Sequence, residues 1–156
     1  MVNINSPHEL ENWKVSVSGI IIKENKILAV QQNPNSNHRL RGCWRLPTGK
    51  MKSFEHPYDA VKREILEESS IEAIVDSSPI HIKVRDLNDS TCNGLLVVYY
   101  EGKPLFNVDV PHHAPNGETI DACYFDVEDF FKCAGALGRR ELEGKVTDRI
   151  YELMGR

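Results

Sequence analysis

The sequence predicts an α/β fold of the α+β kind, in which a mixed β-sheet is sandwiched between helices. Short apolar runs rich in β-branched residues alternate along the 156 residues with segments whose apolar residues recur at helical spacing. Each kind of segment has an apolar face to bury, and stacked layers of sheet and helix bury both. The length suits one hydrophobic core, so we expect residues 1–156 to form a single domain.

The first elements are predicted from short-range signals. Residues 15–22 and 26–31 are expected to form a hairpin joined at Glu24-Asn25. A helix is predicted next, from His56-Pro57 to about Ser69. Proline suits its first position because the N–H that proline lacks would have no partner within the helix.

The second half of the chain predicts more strands and then helices. The strands are expected at residues 71–75, 81–85, 94–100 and 122–125. Asp126 is placed to cap a short helix that ends near Cys133. Residues 140–154 predict a last helix, whose apolar positions are Leu142, Val146, Ile150 and Leu153. Residues 102–117 predict one long loop, a kind of segment that is often functional in compact domains.

The helix predicted at 57–69 carries three carboxylates on one face. Glu64, Glu67 and Glu68 fall within an arc of roughly 100° on the helical wheel. Such crowding destabilises an isolated helix, but a hard divalent cation such as Mg²⁺ prefers oxygen ligands and is held by one or two carboxylates plus substrate phosphates. A solvated acidic face, partly neutralised by Lys62 and Arg63, is the alternative. The breaker-rich residues 46–50 favour the metal, because Gly49 lets the backbone approach a ligand closely.

These residues fall on a known pattern. The Nudix box is matched by Gly49, Glu55, Arg63, Glu64, Ile65, Glu67, Glu68 and Ile71. The chain therefore resembles the Nudix hydrolases, the MutT-like family, from Gly49 to Ile71 and in its flanking strands. Ser70 stands where the family has its last glycine, at the turn after the helix, where positive φ is commonly needed.

The resemblance implies a Nudix fold and a metal-dependent reaction. The reaction would be hydrolysis of a diphosphate bond in a nucleoside diphosphate linked to another moiety, with a nucleoside triphosphate or an ADP-ribose-like molecule as substrate. Mg²⁺ or Mn²⁺ would be held by Glu64, Glu67 and Glu68, with a carbonyl of Gly49 as a further ligand.

The same resemblance also implies which residues act as the general base and which have a structural role. Glu67 or Glu118 would be the general base, and Glu118 is preferred over Asp121 for the loop carboxylate. Glu55 and Arg63 would pair to fix the loop against the helix. His112 and His113 could touch substrate or act as bases, although paired histidines in a Pro-rich loop are more often simply exposed.

The segment before the box is basic, and this makes it a candidate for substrate binding. Arg39, Arg41 and Arg45 are expected to meet substrate phosphates, with His38 in the same cluster, or to be solvated loop residues. Base stacking has four aromatic candidates, for each of which core packing is the alternative: Trp44, Tyr99, Tyr100 and Phe106.

Composition bears on the expected binding partner and location of the protein. The net charge of −4 argues against nucleic acid as a partner, and a small-molecule nucleotide is expected instead. Residues 1–13 are polar and acidic where a signal peptide has a basic region and an apolar run, and no later segment is long enough to span a membrane. The four cysteines have no zinc spacing, so we expect a cytoplasmic protein; a homodimer stays open. Two alternatives to a hydrolase also stay open: a non-catalytic module that binds nucleotides or RNA ends, and an isomerase of a diphosphate ester.

Overall fold

The computed structural model describes residues 13–86, 94–109 and 118–156. Within these ranges the chain forms eight strands and three helices. They are β1 (Trp13–Lys23), β2 (Lys26–Gln32), β3 (Trp44–Arg45), β4 (Thr48–Lys50), α1 (Pro57–Ser69), β5 (Ala73–Val75), β6 (His81–Asp86), β7 (Gly94–Pro104), β8 (Thr119–Phe125), α2 (Val127–Leu142) and α3 (Lys145–Leu153).

The strands form a mixed sheet around β1. This strand pairs in parallel with β7 and antiparallel with β2 and β4. Both β5 and β6 are antiparallel to β7, while β3 and β8 are antiparallel to β2. The parallel β1–β7 pair lies at the centre, so residues near the end of either strand can contribute to one site.

Helices cover both faces of this sheet. On one face, Val61 and Ile65 of α1 pack with Val17 of β1. On the other, Phe130 of α2 and Ile150 of α3 pack with other residues of β1 and β2. A mixed sheet between helices is therefore confirmed.

The predicted hairpin is also confirmed. Glu24 and Asn25 have φ values of 49° and 61°, and two residues of positive φ form the type of turn whose twist matches a β-hairpin. Strands β1, β2, β6, β7 and β8 extend past the predicted bounds, and β5 begins only at Ala73. The two- and three-residue strands β3 and β4 were not predicted, because they are too short to have a period.

The prediction for the C-terminal helices was wrong in its boundaries. Instead of ending near Cys133, α2 continues to Leu142 across a break at Gly135, where φ is 72° and ψ is 178°. The last helix does not begin at Arg140, because α3 starts after Gly144, where φ is 88°. Two glycines in conformations that other residues rarely adopt thus divide this region. Asp126 occupies the N-cap position of α2 without a side-chain capping bond.

Several expectations concern residues outside the described ranges. Cys92, His112, His113 and the second half of the predicted long loop, residues 110–117, lie there, whereas residues 102–104 belong to β7. In the described part of the chain, Cys43, Cys123 and Cys133 are free thiols. No helix in these same ranges has the length and apolar character needed to cross a membrane.

Candidate active site

Helix α1 is held tightly against the central sheet, and this fixes its acidic face. His56 caps the helix, its Nδ1 accepting a hydrogen bond from Tyr58 N (3.1 Å). On the apolar side, a Cβ at Gly19 of β1 would lie only 2.8 Å from Ile65 Cδ1. The close approach of helix and strand therefore depends on glycine at this position.

Gly49 of β4 lies directly beneath Glu64. A Cβ at Gly49 would lie 2.0 Å from the carboxylate carbon of Glu64, well inside van der Waals contact. A side chain here would displace that carboxylate. This contact gives a physical reason for glycine at the first position of the box.

The acidic face of α1 borders a cavity of about 680 Å³. Glu64 and Glu67 line it from the helix, and Glu118 lines it from the segment before β8. The basic residues in its wall are Arg45, Lys50, Lys52 and Arg63. Carboxylates and cations thus share one concave surface, as required to bind a metal ion together with phosphate.

Arg63 connects the carboxylates of the box. Its guanidinium donates to both oxygens of Glu55 (2.7 and 2.8 Å), to Glu64 Oε1 (2.7 Å) and to Glu67 Oε2 (3.1 Å). It also donates to the Lys50 carbonyl (3.1 Å), so it ties β4 and the following loop to the helix. The bidentate bond with Arg63 lowers the pKa of Glu55 to about 2.

Negative charges crowd around Glu64. Burial raises the pKa of this carboxyl, the bond from Arg63 opposes the rise, and the charges of Glu67 and Glu118 add to it. Glu67 itself keeps 43% of its side chain exposed. A divalent cation would relieve the repulsion among these three carboxylates.

Glu68 occupies a different position from the other two helix carboxylates. It is fully buried and is not among the described residues that line the cavity. One oxygen accepts from Thr48 N (2.8 Å) and the other from Arg45 Nη2 (3.2 Å). Burial raises the pKa of Glu68 to about 7, although Arg45 and the Thr48 amide oppose the rise. Glu68 therefore joins α1 to the turn between β3 and β4.

The turn after α1 has the conformation expected of the missing glycine. Ser70 has φ 61° and ψ 17°, in the left-handed region, and its N–H donates to the Leu66 carbonyl (2.8 Å). Serine thus adopts the conformation that glycine adopts with less strain.

The two candidate loop carboxylates, Glu118 and Asp121, have different positions relative to the cavity. The backbone carbonyl of Glu118 accepts from Asn33 N (2.8 Å) and Gln32 Nε2 (3.0 Å), which anchors this residue beside β2 at the cavity. Asp121 instead accepts from the adjacent Ala122 N–H (2.8 Å), and it is not among the described residues that line the cavity.

A second cavity, of about 280 Å³, adjoins the first between the sheet and α2. The two share Ser16, His38, Arg45, Thr48 and Lys50 in their walls. His38 accepts from Leu40 N (3.0 Å) through Nδ1, and burial, followed by the charges of Arg45 and Arg39, lowers its pKa. A neutral imidazole therefore stands where the cavities meet.

The predicted substrate-binding residues divide between these cavities. Arg45 lines both and Arg39 lines only the second, whereas Arg41 is exposed and is not among the described residues that line either. Of the aromatic candidates, Trp44 and Tyr99 line the second cavity. Tyr100 is buried in the core beneath α1, and Phe106 is 58% exposed.

Sequence reasoning missed three charged residues that line the second cavity alone. Lys14, Arg85 and Glu141 belong to β1, β6 and α2, so they meet only in the folded chain. None lies in a motif, and no local signal could have found them.

The donor set suits a hard divalent cation without forming a complete cage. Among the described residues, no three Asp, Glu, His or Cys side chains form a group that could hold a metal ion. Mg²⁺ needs only one or two carboxylates when phosphate and water supply its other ligands. The residues able to supply oxygens are Glu64 and Glu67, with Glu118 facing them.

The fold and the box together define the class as a NUDIX domain. The family model of the NUDIX domain matches residues 12–146, and the chain belongs to this family.

Two named relatives match parts of the chain. A MutT-like protein of Streptomyces ambofaciens is 29% identical over 96 residues, 61% of this chain and 54% of the relative. An ADP-ribose pyrophosphatase of Methanocaldococcus jannaschii is 42% identical over 57 residues, 36% of this chain and 32% of the relative. The chain thus spans about half and about a third of these two proteins.

Solved structures share the fold. The NUDIX domain of Shewanella oneidensis NrtR, complexed with ADP ribose, superposes with a TM-score of 0.69 at 17% identity, covering 96% of this chain and 99% of that one. An ADP-ribose pyrophosphatase from Streptococcus suis gives a TM-score of 0.65 at 23% identity, covering 90% of this chain and 91% of that one.

Proposed function

We propose that this protein is a metal-dependent hydrolase that cleaves a diphosphate bond in a nucleoside diphosphate linked to another moiety. One observation carries the proposal: Glu64, Glu67 and Glu118 line the same cavity as Arg45, Lys50 and Lys52. The carboxylates suit a divalent cation, and the cations suit the diphosphate.

Mg²⁺ or Mn²⁺ is the proposed cofactor. Glu64 and Glu67 would hold it, with the Gly49 carbonyl as a further donor. A bound divalent cation offsets negative charge on phosphate oxygens and lowers the pKa of a coordinated water. Glu68 was predicted as a ligand too, but it is buried outside the described lining of the cavity, and its two oxygens accept hydrogen bonds from Arg45 and Thr48.

The chain's own residues would perform the remaining tasks. Arg45, Lys50 and Lys52 would bind the diphosphate oxygens and orient the bond to be cleaved. Glu67 or Glu118 would accept the proton of the attacking water as its oxygen bonds to phosphorus. The P–O bond to the leaving phosphate then breaks, and its electron pair stays with that phosphate. Arg63 and Glu55 would keep β4 and α1 in register.

An ADP-ribose-like molecule is the first substrate to consider, with a nucleoside triphosphate as the second. The Methanocaldococcus relative is named an ADP-ribose pyrophosphatase, and the Shewanella domain was solved with ADP ribose. The second cavity has room beside the diphosphate site, and Trp44 and Tyr99 in its wall are suited to contact a nucleoside.

A nucleotide panel with product analysis tests this proposal. We expect nucleoside monophosphate to be released from one or more diphosphate-linked nucleotides in the presence of Mg²⁺ or Mn²⁺. Binding without turnover across the panel would indicate the non-catalytic module instead. A product with the mass of its substrate would indicate the isomerase.

A further inference from the structure

We propose that Arg39 and Arg85 form a second anion site, which takes a phosphate monoester carried by the substrate in addition to the diphosphate. The inference rests on the proposed function, because it assigns the second cavity to the same substrate molecule. It defines a substrate class: a nucleotide with a further phosphate on its nucleoside half.

An internal carboxylate already occupies the position of such an anion. Arg85 Nη1 donates to Glu141 Oε1 (2.6 Å), and Arg39 Nη2 forms an ion pair with the same oxygen. Lys83 Nζ donates to the backbone carbonyl of Glu141. Three cations from two separate segments thus converge on one residue of α2.

Positive charge exceeds negative charge in this corner of the cavity. Lys14 lines the cavity with Arg39 and Arg85, whereas Glu141 is the one acid among the described residues of its wall. Burial lowers the pKa values of Arg39 and Lys83, and the charge of Arg85 lowers both further. Glu143 partly offsets this effect at Lys83 but does not line the cavity. An added anion would relieve this repulsion.

A phosphate monoester can replace the Glu141 carboxylate on the two arginines. It carries up to two negative charges and three acceptor oxygens, and arginine binds phosphate in bidentate geometry. Glu141 lies between two helix interruptions, at Gly135 (φ 72°) and Gly144 (φ 88°). The residue that must withdraw therefore belongs to a short segment bounded by backbone breaks.

One molecule can reach both sites. His38, Arg45, Thr48 and Lys50 line both cavities, so the cavity at the box carboxylates adjoins the cavity at the arginines. Trp44 and Tyr99 supply apolar and aromatic wall between the two charged ends. A nucleoside held there would place its sugar between its 5′-phosphate and any further phosphate.

Binding of nucleotides that contain no diphosphate bond tests the second site independently of turnover. The probes are adenosine 5′-monophosphate, adenosine 2′,5′-bisphosphate and adenosine 3′,5′-bisphosphate, measured by calorimetry. We expect one bisphosphate to bind about ten-fold more tightly than the monophosphate, the usual scale of added charge-assisted hydrogen bonds. Arg85→Gln and Arg39→Gln should each remove most of this preference, and Glu141→Gln should increase it.

Arg139→Gln is the matched control, because it removes the same charge from the exposed side of α2. It should keep the parental preference. Equal affinity for all three probes, absence of binding by the bisphosphates, or a preference that survives both cavity arginine substitutions would overturn the second site. A bisphosphate preference without hydrolysis of any diphosphate would contradict the proposed function alone, whereas hydrolysis without the preference would contradict the second site alone.

Discussion

At the scale of single residues, Glu68 differs most from its neighbours on α1. It is a carboxylate with no exposed surface, held between the Thr48 amide and Arg45. Its pKa of about 7 lies above the ordinary value of 4.5 because of burial, so the ionised form destabilises the fold. Protonated Glu68 therefore stabilises the folded state relative to the unfolded state. This stabilisation is fully present below pH 4.5 and is lost as pH rises through about 7.

Glu68→Gln should reveal this cost. The amide keeps the shape and has no charge to lose, so in metal-free protein the free energy of unfolding of the parent should fall relative to the variant as pH rises from 5 to 8. Urea unfolding with a chelator measures it. We also expect turnover to fall about 10- to 100-fold, because Arg45 loses its charged partner. Parallel pH profiles for the two proteins would show that the Glu68 pKa is not raised.

Ser70 offers a second test at this scale. Its φ of 61° is strained for serine, so Ser70→Gly should raise the free energy of unfolding by up to about 1 kcal/mol, less the entropy that glycine loses on folding. Turnover should stay near the parental value. Ser53→Gly is the control, because Ser53 is exposed and is not among the described residues with positive φ. A gain in the control equal to that in Ser70→Gly would contradict this explanation.

At the scale of elements, α1 is attached to the preceding loop through one ion-pair network. Glu55 has a pKa of about 2 because Arg63 bonds both of its oxygens. A lowered pKa stabilises the fold above the ordinary value of 4.5, and this stabilisation is lost as pH falls towards 2.

Glu55→Gln should therefore lower the free energy of unfolding by about 1 kcal/mol at pH 7, a modest figure for a partly exposed pair. The difference from the parent should shrink steadily between pH 4.5 and pH 2. Chemical denaturation across this range measures it. Glu72→Gln, at an exposed position just after α1, should show no such convergence. A constant difference at every pH would mean that Glu55 contributes through something other than its charge.

The elements also show what the sequence alone could predict. Both ends of α1 were predicted, because Pro57 starts the helix and the residue after Ser69 ends it in the left-handed region. The end of α2 and the start of α3 were not, because the apolar spacing of Leu142, Val146 and Ile150 continues across Gly144 and hides that break, and because the chain resumes a helix after Gly135. Of the site, sequence reasoning named the residues of the box, Glu118 and three loop arginines. The structure places Arg39 and Arg45 in the described lining of the cavities, but not Arg41. Arg85 and Glu141 come together only through the pairing of β6 with β7 and the packing of α2.

At the scale of the whole molecule, the two cavities divide the chemistry. One combines the carboxylates of α1 with basic residues, and the other is mainly basic with aromatic walls. The net charge of −4 hides this division, because positive charge is concentrated where phosphate would bind. A single domain over residues 1–156, a cytoplasmic location and a homodimer all stay predictions.

The central claim is that this protein hydrolyses a diphosphate bond with a divalent metal. The most direct test measures nucleoside monophosphate release from ADP-ribose or from a nucleoside triphosphate, with and without metal. Nucleoside monophosphate should form with Mg²⁺ or Mn²⁺ and stop when a chelator removes the metal. In the loaded protein, Glu67→Gln should lower turnover at least about 100-fold, because a metal-binding charge and a candidate base are lost together. Glu72→Gln, exposed and outside the described lining of both cavities, should keep parental turnover. Release that persists after exhaustive chelation, or near-parental turnover in Glu67→Gln, would contradict the assignment of this cavity as a metal-dependent diphosphate site.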